Sequence, residues 1–279
     1  MGSEPLKIDV GAVIRARLPR YSRFIPRPLI RWVERTIRQK EMNDMLDYTA
    51  GKTGAEFCSA VLEKLNITYT VHGAENLPAD RRVTIVSNHP LGGLDGIAMI
   101  DFVASVYGEP LKFPVNDLLM AIEPLKPVFL PVNKHGSQSR QAGMAIDEAF
   151  RGDDPVIIFP AGLCSRRLKD GIADLQWHKM FVNKSIATQR TVIPVYFSGR
   201  NSSFFYNFAK LRERSGIRLN IEMVYLPREV FRCRNAHFDI FVGKPVSWQS
   251  LRGGPQAAEQ ASRIREMVYE LPKQNAACH

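Results

Sequence analysis

The chain has 279 residues, 45% of them hydrophobic and 24% charged, with 19 glycines and 18 prolines; this profile excludes a disordered, collagenous or coiled-coil chain. A chain of this size buries roughly 75% of its unfolded surface on folding and needs no staples, and its four scattered cysteines, Cys58, Cys164, Cys233 and Cys278, form no CxxC pair, which speaks against a disulfide framework or zinc knuckle and fits a reducing compartment. The formal net charge is +10, but residues 1–40 hold ten Lys or Arg against three acids, so this segment carries +7 and the remaining 239 residues only +3.

The first 26 residues lack an apolar core of signal length and are studded with arginine, so the chain is expected to stay inside the cell. No bilayer-spanning helix is expected either, because the most apolar stretches are interrupted by Asp95 and Asp101 or by Glu123 and Lys126. If residues 27–40 form a helix, Arg27, Arg31, Arg35 and Arg38 share one face, while Leu29, Ile30, Val33 and Ile37 share a roughly opposite one. Such a helix suits an anionic membrane surface, with Trp32 at headgroup level. A solvated helix packing its apolar stripe on the body is the competing reading. A nucleic-acid arm ranks last, since no reading-head motif accompanies the charge.

Residues 41–66 read as helix, with Phe57, Val61, Leu62 and Leu65 at helical spacing. From there, short β-rich runs alternate with helical stretches. Strands are predicted over 67–71, 83–87, 111–115, 129–132, 156–159 and 192–197, with helices over 95–107 and 137–150. The tail predicts an Arg-rich helix near 208–214, a strand over 238–242 and a final helix over 255–271. The fold class is therefore α/β, with a mainly parallel central sheet flanked by helices and a basic amphipathic N-terminal helical extension. No internal repeat or linker is visible, and the simplest division is an extension over 1–66 and a catalytic domain over 67–279.

Chemistry in such folds collects where strands end. The run Val83–Ser87 leads into Asn88-His89-Pro90-Leu91-Gly92-Gly93-Leu94-Asp95. On one helix His89 and Asp95 would point apart, so they meet only if the intervening chain turns, and Pro90, Gly92 and Gly93 supply a turn. An imidazole held by a carboxylate on one nitrogen keeps the other free to take a proton. A turn-capping Asp beside a structural His is the bland alternative. At a second strand end, Gly162 allows close backbone approach, while Ser165 and Arg166 are candidates for holding a phosphate or carboxylate. Between them, Cys164 reads as a small buried side chain and not as a nucleophile. A third exit, Phe129 to Lys134, ends in a cation. The pair Cys233 and His237 is too sparse for a metal site.

Together, and in this order, the three segments resemble the blocks of the glycerophosphate and lysophospholipid acyltransferase (PlsC-like) superfamily. Asn88-His89 through Asp95 is similar to its catalytic block. Phe129 to Lys134 resembles the second block, with the basic position falling on Asn133 or Lys134. Phe159-Pro160-Ala161-Gly162 through Arg166 resembles the third, and Val192-Ile193-Pro194-Val195 the fourth. Two departures stand out: five residues separate His89 from Asp95, one more than the family usually has, and Ala161 and Leu163 replace a glutamate and a threonine around Gly162. The wording around His89 is closer to the bacterial branch that acylates lyso-ornithine or glycine lipids.

The resemblance implies acyl transfer from acyl-ACP or acyl-CoA to the hydroxyl of a lyso-aminolipid or lysophosphatidate, without a bound cofactor or metal. It implies His89 and Asp95 as catalytic residues, and Asn88, Gly92, Gly93, Lys134, Gly162, Ser165 and Arg166 as substrate-binding ones. Trp177 and Lys179 are weaker candidates for the same wall. Backbone N–H groups of the glycine turn are the expected oxyanion donors. Partners are then the lysolipid, the acyl carrier protein or CoA thioester and an anionic membrane surface, at the cytoplasmic face of the inner membrane, with no nucleic acid. A non-catalytic lipid-surface binding protein is the alternative, and it leaves His89 and Asp95 without a task.

Overall fold

Nine strands and ten α-helices are seen in the computed structural model, which describes residues 7–17, 25–116, 119–132, 138–217 and 219–276. The strands are β1 (Thr68–His72), β2 (Val83–Ser87), β3 (Phe113–Val115), β4 (Phe129–Pro131), β5 (Val156–Ile158), β6 (Arg166–Leu168), β7 (Gly171–Ala173), β8 (Thr191–Phe197) and β9 (His237–Val242). The helices are α1 (Val10–Arg17), α2 (Arg27–Thr36), α3 (Gln39–Tyr48), α4 (Gly54–Leu65) and α5 (Leu94–Tyr107). Further along the chain come α6 (Gln138–Arg151), α7 (Met180–Ala187), α8 (Ser203–Arg214), α9 (Leu226–Arg232) and α10 (Ala257–Ala276).

The central sheet runs β1-β9-β8-β2-β5. Its pairings are parallel except β8 with β9, where Val195 lies opposite Val242 in antiparallel register. The sheet is covered on both faces, and the two-residue period of a strand divides its side chains between two cores. Ile85, Ile157, Ile193 and Val195 face α4 and α5, where Phe57, Leu65, Leu94 and Phe102 are buried. Val86, Ile158 and Val192 face the other core, with Phe150, Phe181, Ile264 and Val268. Each such side chain taken fully out of water contributes about 1.5–3 kcal/mol, so these two layers set the positions of the central strands.

Several elements differ from the sequence expectations. The helix predicted over 27–40 stops at Thr36; Arg38 sits at φ +57° ahead of α3 and pairs with Glu41 at 2.5 Å, so it leaves the face of Arg27, Arg31 and Arg35. The helix predicted over 41–66 is two helices, because Gly51 at φ +80° breaks the chain between them. The hairpin β6–β7 and helices α7 and α9 were not anticipated. Helix α8 starts earlier than expected, at Ser203, because the Ser202 hydroxyl caps it by accepting from the Phe205 N–H at 3.2 Å.

Arg190, just before β8, is fully buried without a carboxylate partner. Its guanidinium donates to five backbone carbonyls: Ala149, Phe150, Gly152, Asp154 and Val83. Three of them belong to the C-terminal turn of α6 and the residue beyond it, where carbonyls lack helical partners and the helix dipole favours a cation. Burial draws its pKa down to about 10, leaving it charged at neutral pH. This one side chain ties α6 to the starts of β2 and β8.

Candidate active site

The exit of β2 delivers His89, and helix α5 starts only five residues later. Asp95 lies in the first turn of α5 and its carboxylate folds back over the preceding loop. There Oδ2 accepts from Leu91 N at 2.9 Å and Gly92 N at 3.3 Å, and Oδ1 from Gly93 N and Gly96 N at 3.0 Å each. Gly92 makes this closure possible: it sits at φ +78°, and a Cβ there would lie 3.0 Å from Cys164 Cβ and from a Leu226 methyl. The extra residue of the turn is absorbed in this way. His89 Nδ1 lies 2.9 Å from Asp95 Oδ2.

Asp95 is completely buried while the His89 side chain remains 16% exposed. Burial by itself would raise the Asp95 pKa, but the charge and hydrogen bond of His89 and the loop N–H groups outweigh it and hold the carboxyl below its ordinary value. A carboxylate at Nδ1 places the ring proton there and leaves the Nε2 lone pair outward. No described residue hydrogen-bonds Nε2. The ring stacks on Phe159, 4.1 Å between centres and 18° between planes, which fixes its tilt from the second strand end.

The other predicted residues take distinct places. Asn88 is buried and spends its amide on β8, donating from Nδ2 to Phe197 O at 2.9 Å and accepting Phe197 N–H at 2.7 Å; it locks the ends of two strands together. Gly93 precedes α5. Gly162 sits at φ +66°, with the His178 ring the nearest group to the position of a Cβ. Ser165 is buried, its N–H donating to His89 O at 2.7 Å. Arg166 donates to Cys164 O and Sγ at 2.9 Å and to Glu222 Oε1 at 2.8 Å. Lys134, together with Asn133, lies outside the described residues. Trp177 is buried beside the site, and Lys179 is exposed. The oxyanion expectation needs correction: the N–H groups of Leu91, Gly92 and Gly93 are consumed by Asp95, so they are not available to a developing negative charge.

Two residues of this site went unanticipated. Phe159 stood inside a quoted block, but nothing in its type announced a ring platform. Asp174 gave no signal at all, yet it is a buried hub. It accepts from His89 N–H at 3.2 and 3.3 Å, from the Ser165 hydroxyl at 2.6 Å and from Trp177 Nε1 at 3.0 Å. Its own N–H donates to the Tyr269 hydroxyl at 2.8 Å, and burial raises its pKa. Cys164 is buried, with its thiol pushed up to about 11, which suits packing and not nucleophilic attack. Among the described residues no cluster of three or more potential metal ligands occurs, and no helix is long and apolar enough to cross a membrane.

A histidine oriented by a carboxylate at a strand end, with one nitrogen facing outward, is equipped to take a proton from a hydroxyl. The chain matches a family model described as Acyltransferase over residues 12–277, and it belongs to that family. Among proteins of known activity, it is 40% identical over 264 residues to the lyso-glycine lipid O-acyltransferase of Bacteroides thetaiotaomicron, covering 95% of this chain and 97% of the relative. The protein of the same name from Phocaeicola vulgatus is also 40% identical over 264 residues, covering 95% of each chain. The crystal structure of the 1-acyl-sn-glycerophosphate acyltransferase PlsC from Thermotoga maritima is similar over 78% of this chain and 82% of its own, with a TM-score of 0.49 and 17% sequence identity.

Proposed function

We propose that this acyltransferase moves a fatty acyl group from a thioester to the hydroxyl of a lyso-aminolipid, making an ester, and that lyso-glycine lipid heads the acceptors. The name shared by two relatives at 40% identity supports that acceptor. The observation that carries the chemistry is the 2.9 Å contact between His89 Nδ1 and Asp95 Oδ2. His89 Nε2 takes the hydroxyl proton as the oxygen attacks the thioester carbonyl; the tetrahedral intermediate collapses, the C–S bond breaks, and the imidazolium returns the proton to the leaving thiolate. Asp95 orients the ring and stabilises its cationic form. No covalent acyl-enzyme is needed.

The donor is acyl-ACP or acyl-CoA. Gly162, Gly92 and Gly93 are assigned to the path by which substrate reaches His89. Lys134 and Arg166 are assigned to the acceptor head group or the phosphopantetheine phosphate. Asn88 and Ser165 act by holding the strand ends and the His89 backbone. The chain divides by task into a membrane-surface extension, residues 1–66, and an acyltransferase domain, residues 67–279. This division is not one of packing, since α4 shares a core with the sheet. The cationic face of α2 supports a peripheral seat on the cytoplasmic face of the inner membrane.

The test offers purified protein with acyl-ACP or acyl-CoA a panel of lysophosphatidate, lyso-ornithine lipid and an N-acylglycine bearing a free hydroxyl, and reads the diacyl product by mass spectrometry. Product is expected from the N-acylglycine, and none from His89→Ala at an unchanged melting temperature. Product from lysophosphatidate alone overturns the acceptor assignment. Undiminished turnover by His89→Ala removes His89 from the mechanism.

A further inference from the structure

Large apolar side chains left in solvent gather around one aromatic bridge. On α2, Trp32 is 51% exposed; on α8, Phe204 and Leu211 are 44% and 61% exposed; and in the segment between α8 and α9, Leu219 is 75% exposed. Trp32 meets the Tyr225 ring edge-on at 6.4 Å between centres, and Phe204 and Phe208 meet the same ring at 5.0 and 5.4 Å. Helix α2 therefore does not stand alone; its tryptophan is joined to α8 and to the segment around residue 225. Phe204, Phe208 and Leu211 follow helical spacing and share the face turned away from the body, while Phe205, Tyr206 and Ala209 are buried.

Cations rim this surface. Arg27, Arg31 and Arg35 are exposed on α2, Lys210 and Arg214 on α8, and the Arg228 guanidinium lies 5.3 Å from the centre of the Phe204 ring. Glu213 is an exposed acid on α8 and Glu34 a half-buried one on α2, whereas Glu222 is buried between Arg166 and Arg212. Apolar side chains ringed by arginine and lysine fit an anionic lipid surface. A second copy of the chain fits poorly, because a two-fold interface would bring the same cations face to face.

We infer that α8, the described residues 215–217 and 219–225, and α2 form one seat on an anionic bilayer. This extends the membrane reading of α2 given above and rests on it. The seat adjoins the chemistry: Leu226 packs against Gly92, and Arg166 reaches from the third loop to Glu222 beneath the exposed residues. The bilayer is thereby held against the outer side of the catalytic turn, where a lysolipid hydroxyl has little distance to travel.

Flotation of the full-length protein with phosphatidylglycerol/phosphatidylcholine vesicles tests this. The variant Phe204→Ser/Leu211→Ser/Leu219→Ser changes only exposed side chains and is compared with Arg27→Gln/Arg31→Gln/Arg35→Gln, both at matched melting temperatures. The serine variant is expected to partition about tenfold more weakly than the parent, the loss persisting at high salt because its origin is apolar. The glutamine variant is expected to lose binding most at low salt. If the serine variant stays within about twofold of the parent while the glutamine variant loses binding, the extended seat is overturned and the α2 reading stands. If the parent itself fails to float, both fall. A parent that is dimeric by light scattering and a serine variant that is monomeric with unchanged flotation assign the patch to a second copy and overturn the inference.

Discussion

The amide nitrogen of His89 lies 3.2 and 3.3 Å from the two carboxylate oxygens of Asp174, so the proposed base is gripped by Asp95 at its ring and by a different carboxylate at its backbone. The second grip extends to Ser165 and Trp177 through the same two oxygens. It does not touch the reacting atoms.

Asp174→Asn replaces one acceptor oxygen by a donor nitrogen facing donors. The expected result is a kcat lowered roughly 10- to 100-fold with little change in KM, the signature of a misplaced base. Steady-state kinetics at a single pH check both parts.

Asp95→Asn should lower kcat by roughly 10³- to 10⁴-fold, since an amide does not enforce the proton on Nδ1. The parent carboxyl is held below its ordinary value in the folded state. Its contribution to stability is therefore complete above the unfolded pKa and disappears as pH falls through the lower folded one. Parent minus variant melting temperature, followed by calorimetry, should accordingly shrink as pH drops through that window.

Gly92→Ala forces a side chain onto a φ of +78° and within 3.0 Å of Cys164 and Leu226. We expect a loss of about 1–3 kcal/mol in denaturant unfolding and a larger fractional loss of activity, because the strain falls on the loop that carries the Asp95 contacts. Gly143, in the interior of α6 with open space around it, provides the contrasting control: Gly143→Ala should leave activity unchanged and raise stability by about 0.5–1 kcal/mol.

Arg190→Met strips five carbonyls of their shared donor in a buried site. Unsatisfied polar groups of this kind cost about 1–3 kcal/mol each when no water reaches them, so thermal unfolding should move down by several degrees or more. Activity per folded molecule should persist, since Arg190 serves the opposite ends of the strands from His89. Differential scanning calorimetry and active-site-normalised turnover separate the two.

What was legible in the sequence were the features whose cause is local. The strand Val83–Ser87 was placed at its observed bounds, because four successive β-branched residues between charged and polar flanks have few other homes. The contact of His89 with Asp95 followed from glycines that license a turn. Features that depend on distant partners left no trace in the letters: Arg190 looked like any arginine before a strand, and Asp174 like any acid in a loop. The helix over 27–40 was over-read because Arg38 in a left-handed conformation breaks it, a preference that no apolar spacing records. The strand over 238–242 was placed, but its antiparallel pairing with β8 was not, since strand direction is decided by the path of the connection and not by the strand.

Tyr269 and Arg265, which contact the Asp174 backbone, and β9, the neighbour of β1 in the central sheet, all come from the last 43 residues of the chain. A nascent polypeptide leaving the ribosome thus carries His89, Asp95 and Asp174 before the residues that anchor the Asp174 backbone have been made. Fragments that stop before Arg265 lack both contacts to the Asp174 backbone, so the Asp174 grip on His89 should loosen and turnover should fall even where the early helices have formed.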